Sequence, residues 1–162
     1  MRPAQMKHAL LLGGFVLAAL LVAAMLTTRN DADLGYQPKA NPFQNLSAAQ
    51  AAAQDKNKKI LIVAGGAWCR WCRALNQFLS DNKDLKAELY KEFEIVKVYV
   101  GEDNDNKAFF STLPKAAGYP HFWVLSSNGR VIDSINTSKL ENGQGSYNKE
   151  AFLSFIRSYA AP

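Results

Sequence analysis

An α/β fold, with a central mixed β-sheet of about four strands flanked by helices, is what this sequence predicts, and three observations predict it. Residues 60–64 (Ile-Leu-Ile-Val-Ala) are apolar without alternation, as expected of a strand covered on both faces. Residues 95–100 form a second run rich in β-branched side chains, separated from the first by helical stripes at Cys72, Leu75 and Leu79 and then at Leu85, Leu89 and Phe93. A third apolar run, residues 122–125, leads to Asn128-Gly129, a strong hairpin signal, and to a returning antiparallel strand over residues 131–135.

Taken in order, the chain begins with an uncharged stretch, residues 9–26, preceded by Arg2 and Lys7 and followed by Arg29, Asp31 and Asp33. Basic residues before it and a weakly acidic balance after it predict an N-terminus inside the cell and everything else outside. Eighteen apolar residues just span a hydrocarbon core, which favours an uncleaved signal anchor. Val22-Ala23-Ala24 also reads as small residues before a cleavage site, so a cleaved signal peptide is the alternative over residues 1–26. The expected location is the inner membrane, single-pass with the domain facing the periplasm, or the soluble periplasm if the segment is removed. Residues 27–45, polar and punctuated by Gly35, Pro38 and Pro42, read as a tether. The folded domain is expected over residues 46–162.

Ser47-Ala48-Ala49-Gln50 is a capping box that opens a helix running to about Asp55, and residues 56–59 make a charged, solvated turn. After the first strand, Gly65 and Gly66 allow a sharp exit. The next helix turns Cys72, Leu75, Phe78 and Leu79 inward and breaks at Ser80-Asp81-Asn82. Residues 102–106 are acidic and asparagine-rich, but lack the glycine and closing glutamate of an EF-hand loop, so they read as a loop and helix cap. Phe109, Phe110 and Leu113 continue a short helix that residues 114–118 end. Phe152, Phe155, Ile156 and Tyr159 mark a closing helix at i, i+3, i+4, i+7 spacing.

The 162 residues are 48% apolar, enough for one domain with a proper core. The net charge of +5 falls to +3 (17 basic against 14 acidic residues) once Arg2 and Lys7 are assigned to the leading segment. The remainder forms no basic stripe, which excludes nucleic acid as a partner class.

The chemistry lies in Trp68-Cys69-Arg70-Trp71-Cys72, which holds the only two cysteines of the chain. Cys69 falls at a helix N-terminus, where free N–H groups and the positive end of the macrodipole favour a thiolate. Cys72 lies one turn further in, close enough to close a disulfide and shielded from solvent. One sulfur attacks a partner and the other resolves the mixed disulfide, which is thiol:disulfide exchange. Zinc needs four ligands, and no second cysteine pair is present; the histidines are His8, in the targeting segment, and His121, so no metal is expected. A purely structural disulfide is the other reading, although so short a loop restrains the unfolded chain little. Export removes the reducing cytosolic pool, so the pair can persist in either state.

Ala67-Trp68-Cys69-Arg70-Trp71-Cys72 after a buried strand, Gly118-Tyr119-Pro120 opening a later strand, and the Asn128-Gly129 hairpin together resemble the thioredoxin superfamily over about residues 46–160. Phe78-Leu79-Ser80-Asp81 and the helix after it resemble the branch containing the C-terminal periplasmic domain of the thiol:disulfide interchange protein DsbD and its stand-alone relatives. The resemblance implies a thioredoxin-like fold with a cis peptide at Pro120, packed against the two sulfurs, and a Tyr119 backbone that pairs with an extended substrate segment. It also exposes two departures. Many thioredoxin-like reductases carry an acidic residue where this chain has Val63, and the DsbD-like domain has another where this chain has Asn76. Without those negative neighbours, and with Arg70 placing a positive charge between the sulfurs, the Cys69 thiolate is expected to be at least as stable as in the acidic-flanked relatives.

Trp68 reads equally as part of an apolar docking rim and as packing beside the motif. Trp71, between the cysteines, is expected to be exposed and to join the rim, whereas Trp123 is expected in the core and His121 as a partly buried structural residue. The expected activity is therefore that of an exported thiol:disulfide oxidoreductase, reducing disulfides of envelope proteins on the strength of the resemblance. Cys69 and Cys72 are its catalytic residues, Tyr119, Pro120, Trp68 and Trp71 contact substrate, and Arg70 tunes the pair. No cofactor is expected beyond the redox-active Cys69–Cys72 disulfide. The expected partners are exported proteins with disulfides or thiols, a membrane or periplasmic redox partner, and the inner membrane through residues 9–26. The alternative is a thioredoxin-fold module that binds client chains or assists assembly without redox turnover.

Overall fold

The computed structural model describes residues 34–160. The expected signal or anchor segment, residues 1–26, lies outside the described residues, as does the start of the tether. No helix among the described residues is long and apolar enough to cross a membrane.

The domain is a four-stranded sheet with helices on both faces. Its elements are α1 (Pro42–Asp55), β1 (Lys59–Gly65), α2 (Arg70–Asp81), α3 (Lys83–Glu92), β2 (Phe93–Tyr99), the short α4 (Lys107–Phe110), β3 (His121–Leu125), β4 (Val131–Asn136), a 3₁₀ turn (Thr137–Leu140) and α5 (Lys149–Ser158). The strand order is β2-β1-β3-β4. β1 runs parallel to β2 and antiparallel to β3, and β3 pairs antiparallel with β4, so the sheet is mixed, as its patterning predicts.

Burial follows the same logic. The central strands β1 and β3 are apolar on both faces because helices cover both; all of β3 and residues 60–65 of β1 are buried. The edge strand β4 is only partly covered and alternates with polar residues. On one face Leu61, Val63, Phe122 and Val124 meet Cys72, Leu75 and Phe78 of α2, Leu85 and Leu89 of α3, and Phe152, Phe155 and Ile156 of α5. On the other, Ile60, Ile62, Ala64, Val96, Val98, Trp123 and Leu125 meet Ala53 of α1 and Phe109 of α4. Each fully buried aliphatic or aromatic side chain contributes roughly 1.5–3 kcal/mol, so these two clusters hold the sheet between its helix layers.

Three local expectations change. The first helix opens at Pro42 rather than Ser47: Asn41 is the N-cap, its side chain accepting the Phe43 N–H at 3.0 Å, with a proline in the first turn. The second half of the expected tether is likewise part of the domain, because Leu34 and Tyr36 are buried in the α2-side core. Phe93 begins β2 instead of ending the preceding helix. α2 and α3 separate at Asn82, as the sequence implies, and residues 102–106 form a loop in which Asp105 accepts the Lys107 N–H at the start of α4.

Topology then sets the site. The cysteine motif follows the C-terminal end of β1. Since β3 is antiparallel to β1, with Ala64 opposite His121, the start of β3 lies at that same end. Tyr119 and Pro120 are thereby carried to the cysteines although they are some fifty residues away.

Candidate active site

Cys69 and Cys72 are joined as a disulfide, with Cα atoms 5.2 Å apart. Cys69 is the N-cap of α2: its backbone is extended, and Sγ accepts the Cys72 N–H at 3.1 Å. A sulfur thus occupies the place usually held by a serine or aspartate oxygen, satisfying one of the helix's free donors. Both cysteines are buried, at 5% and 2% exposure for Cys69 and Cys72. The contrast in exposure expected from the sequence is therefore small, because the Tyr119-Pro120 turn lies over the outer sulfur, with the Tyr119 carbonyl oxygen 3.4 Å from Cys69 Sγ.

The Tyr119-Pro120 peptide is cis. Pro120 is fixed from behind by Thr137, a buried residue whose hydroxyl donates to the Pro120 carbonyl at 2.7 Å. Tyr119 is half-buried and meets Trp68 edge to face, with ring centroids 5.8 Å apart. Trp68 itself is 54% exposed, yet its indole N–H donates to the Val100 carbonyl at 2.6 Å, so it is both anchored to the fold and available at the surface.

One expectation about the motif needs correcting. Trp71 is half-buried rather than exposed: its ring meets Tyr147 edge to face, and the Tyr147 hydroxyl donates to the Trp71 carbonyl at 3.4 Å. Burial pushes that Tyr147 hydroxyl up to about 12. Arg70 is exposed at the first position of α2, and its guanidinium reaches the Gly145 loop, where Nη2 lies 3.7 Å from the point a Cβ there would occupy. A donor that touches Cys69 Sγ is the helix's own N–H, from Cys72.

Several residues at the site carry no signal in the sequence. Arg73 donates through Nη1 to the Ala67 carbonyl, pinning the segment just before the motif. Gly65 does not turn the chain; it is an ordinary strand residue whose missing side chain leaves room. A Cβ there would run into Cys72 Sγ and into the Tyr36 hydroxyl 2.8 Å away. Tyr36 thus lies beside the inner sulfur, brought there by a segment that reads as linker. Lys97, the lone lysine of β2, packs its ammonium over the Tyr36 ring at 5.3 Å from the centroid and donates to the Leu34 carbonyl. The lone lysine among β-branched residues is the one signal that marks this cluster in advance.

The thioredoxin-like family matches residues 41–127, more than half of the chain. The chain belongs to that family. Among solved structures, this thioredoxin-like protein is similar to a disulphide isomerase from Xylella fastidiosa Temecula1, with 28% identity and a TM-score of 0.65 over 76% of this chain and 95% of that one. A redox protein from Chlamydomonas reinhardtii shares the fold at 20% identity and a TM-score of 0.52, over 74% of this chain and 34% of that longer one. No curated protein matches the sequence significantly. The thioredoxin-like fold and the bonded Cys69-x-x-Cys72 pair support a thiol:disulfide oxidoreductase.

Proposed function

We propose that the protein is an exported thiol:disulfide oxidoreductase, related to the DsbD branch and acting chiefly as a reductant, with Cys69 attacking and Cys72 resolving. One observation supports that division of labour: Cys69 Sγ sits at the N-cap of α2 and accepts the Cys72 N–H at 3.1 Å. A thiolate in that place keeps the same hydrogen bond, now charge-assisted, and meets the positive end of a twelve-residue helix. Cys72 lies inside the first turn, where its own N–H is already given to Cys69.

In the reductive direction the Cys69 thiolate attacks a substrate disulfide. The substrate S–S bond breaks, one substrate sulfur leaves as thiolate and takes a proton, and the other is bonded to Cys69. Cys72 then loses its proton and attacks Cys69 Sγ, releasing the second substrate thiol and closing the Cys69–Cys72 disulfide. Two electrons pass from the pair to the substrate, and a redox partner in the membrane or periplasm restores the dithiol. The substrate chain lies extended along the Tyr119 backbone against Pro120, with Trp68 and the exposed part of Trp71 as the apolar rim. The uncharged residues 9–26 with basic residues before them support a location on the periplasmic side of the inner membrane, or in the periplasm if cleaved, with exported proteins as substrates. The reductive direction rests on the DsbD-like features of residues 78–93.

Trapping tests this directly. Cys72→Ser should accumulate mixed disulfides with exported proteins through Cys69, whereas Cys69→Ser should trap few; equal trapping would overturn the assignment of roles. A reduction potential near about −120 mV, the value of a strong oxidant, would reverse the direction. Full biological activity in both serine variants would favour a client-binding module over an oxidoreductase.

A further inference from the structure

Beneath Cys72, on the sheet side of α2, lies a cavity of about 190 Å³. Cys72 lines it, and so do Lys97 of β2 and Val63 of β1; Asn76 and Ser80 of α2 and Lys86 of α3 supply polar groups. It is large enough, and polar enough at those points, to hold water. None of its lining residues is acidic. The segment Leu34, Gly35, Tyr36 wraps the Lys97 amine from above: the Leu34 carbonyl accepts its proton, Gly35 (φ +77°) packs on its stem, and the Tyr36 ring faces it. The Tyr36 hydroxyl end reaches the space beside Cys72 Sγ at Gly65. One tyrosine therefore packs its ring against the amine and brings its hydroxyl to the same point at Gly65 that the sulfur approaches.

We infer that Lys97 is the proton acceptor for Cys72 in the resolving step, reached through water in the cavity both groups line, with Tyr36 as the positioning residue between them. The inference rests on the oxidoreductase reading above and adds the fate of the proton. In the mixed disulfide, the Cys72 thiol gives its proton by way of cavity water to the neutral Lys97 amine. Cys72 Sγ bonds to Cys69 Sγ, the bond from Cys69 to the substrate sulfur breaks, and that sulfur leaves with the electron pair and takes a proton from solvent. The Lys97 ammonium, held by the Leu34 carbonyl and the Tyr36 ring, later returns its proton to water.

The environment of Lys97 suits this role. Burial, with a smaller contribution from the Lys86 charge, brings its pKa down to about 8. An ordinary lysine near 10.4 is almost wholly protonated at neutrality and accepts nothing, whereas an amine near 8 is neutral in about one molecule in ten at pH 7 and is close to a thiol at about 8.5. The ionisable groups lining the cavity beside Lys97 are Cys72, Lys86 and Tyr90, and Tyr36 lies against the Lys97 amine. The nearest acidic residue along β2, Glu94, points to the opposite face, where Lys56 and Lys58 hold it.

Ellman's reagent separates the two steps. Mixed with the fully reduced protein in a stopped-flow instrument, it releases one thionitrobenzoate when Cys69 attacks and a second when Cys72 resolves. Wild type should show both releases, the second rising with pH through about 8. Lys97→Met should slow the second release about tenfold or more at pH 7, with the gap closing above pH 9 where hydroxide ionises the thiol unaided. An intact first release serves as the folding control, and Lys97→Gln stands in should the methionine variant fail it. Lys97→Arg keeps the charge but cannot accept a proton, so it should be as slow as Lys97→Met. A second release within twofold of wild type in the methionine or glutamine variant, or its recovery in Lys97→Arg, would overturn the proton-acceptor role while leaving the oxidoreductase reading intact. A wild-type protein that gives no second release would sink both.

Discussion

Lys97 and His121 occupy opposite faces of the same sheet, and burial pushes both of their pKa values down, yet their surroundings differ in kind. Lys97 opens onto a cavity that also reaches Cys72. His121 is 2% exposed and packed on the other face: its ring centroid lies 4.5 Å from that of Trp123, Nε2 is 2.9 Å from the Ser134 hydroxyl, and Nδ1 is buried with no hydrogen-bond partner among the described residues. Desolvation alone makes a base reluctant to take a proton. It becomes useful to chemistry only where a reacting atom and a route for the proton share the same space, and the α2 side of the sheet provides both.

The largest effect is expected where the room beside Cys72 Sγ is filled. Gly65→Ala puts a methyl group against Cys72 Sγ and the Tyr36 hydroxyl. Neither neighbour gives way freely, since the sulfur is fixed by α2 and Tyr36 is buried in the core. The expected loss is about 3 kcal/mol, the upper end for overpacking, read from the denaturant midpoint. The second thionitrobenzoate release should slow as well. An alanine variant with wild-type stability and wild-type resolving rate would break the claim that Gly65 leaves room that Cys72 Sγ and the Tyr36 hydroxyl need.

A smaller effect, of opposite sign, is expected at Lys97. Its folded pKa of about 8 lies below the value near 10.4 of an unfolded chain, so the unfolded state binds more protons between those limits. Stability therefore rises with pH across about pH 8 to 10, and below about pH 8 the folded protein bears the full cost of burying the charge. That cost is on the order of 3 kcal/mol at most, and the bond to the Leu34 carbonyl offsets about 1 of it. Lys97→Met should thus be more stable than wild type by about 1–2 kcal/mol at pH 7, with the advantage gone by about pH 10. Gaining stability while losing resolving rate is what a functional group retained at a structural cost would show. A variant destabilised at every pH would make Lys97 a packing residue.

How much of this was legible in the sequence differs between the two faces for the same physical reason. The strands, α2, α3 and α5 announce themselves through runs and periods within a few residues, and so do the cysteine pair, its place at a helix start and the hairpin. The register Ala64 opposite His121, which brings Tyr119 and Pro120 to the site, is implied once β1 and β3 are known to be antiparallel neighbours. The cluster around the inner sulfur is different. Tyr36, Gly65, Cys72 and Lys97 are contributed by four separate stretches, and Tyr36 sits in a segment whose prolines and polar residues suggest a linker. Local pattern carries no information about such a meeting. The same limit explains Trp71 and Arg70: position in the motif says they are near the sulfurs, but Tyr147 and the Gly145 loop decide which way they face.

The smallest effect is expected at His121, and it tests the comparison from the other side. Its folded pKa lies below the ordinary 6.5, so the unfolded chain takes up a proton that the native protein resists, and stability falls as pH drops below about 6.5. His121→Phe removes that proton uptake and the orphaned Nδ1 while giving up the contact with Ser134, about 1 kcal/mol of hydrogen bond against about the same cost of an unsatisfied buried nitrogen. At pH 7.5 the two should nearly cancel. At pH 5 the phenylalanine variant should be ahead, measured as a smaller drop in the denaturant midpoint on acidification. Its two thionitrobenzoate releases should keep their wild-type ratio between pH 6 and pH 9, because His121 does not line the cavity that reaches Cys72. A second release that changes its pH profile in His121→Phe would mean that protons cross the sheet between its two faces, and the assignment of proton transfer to the α2 side would no longer stand.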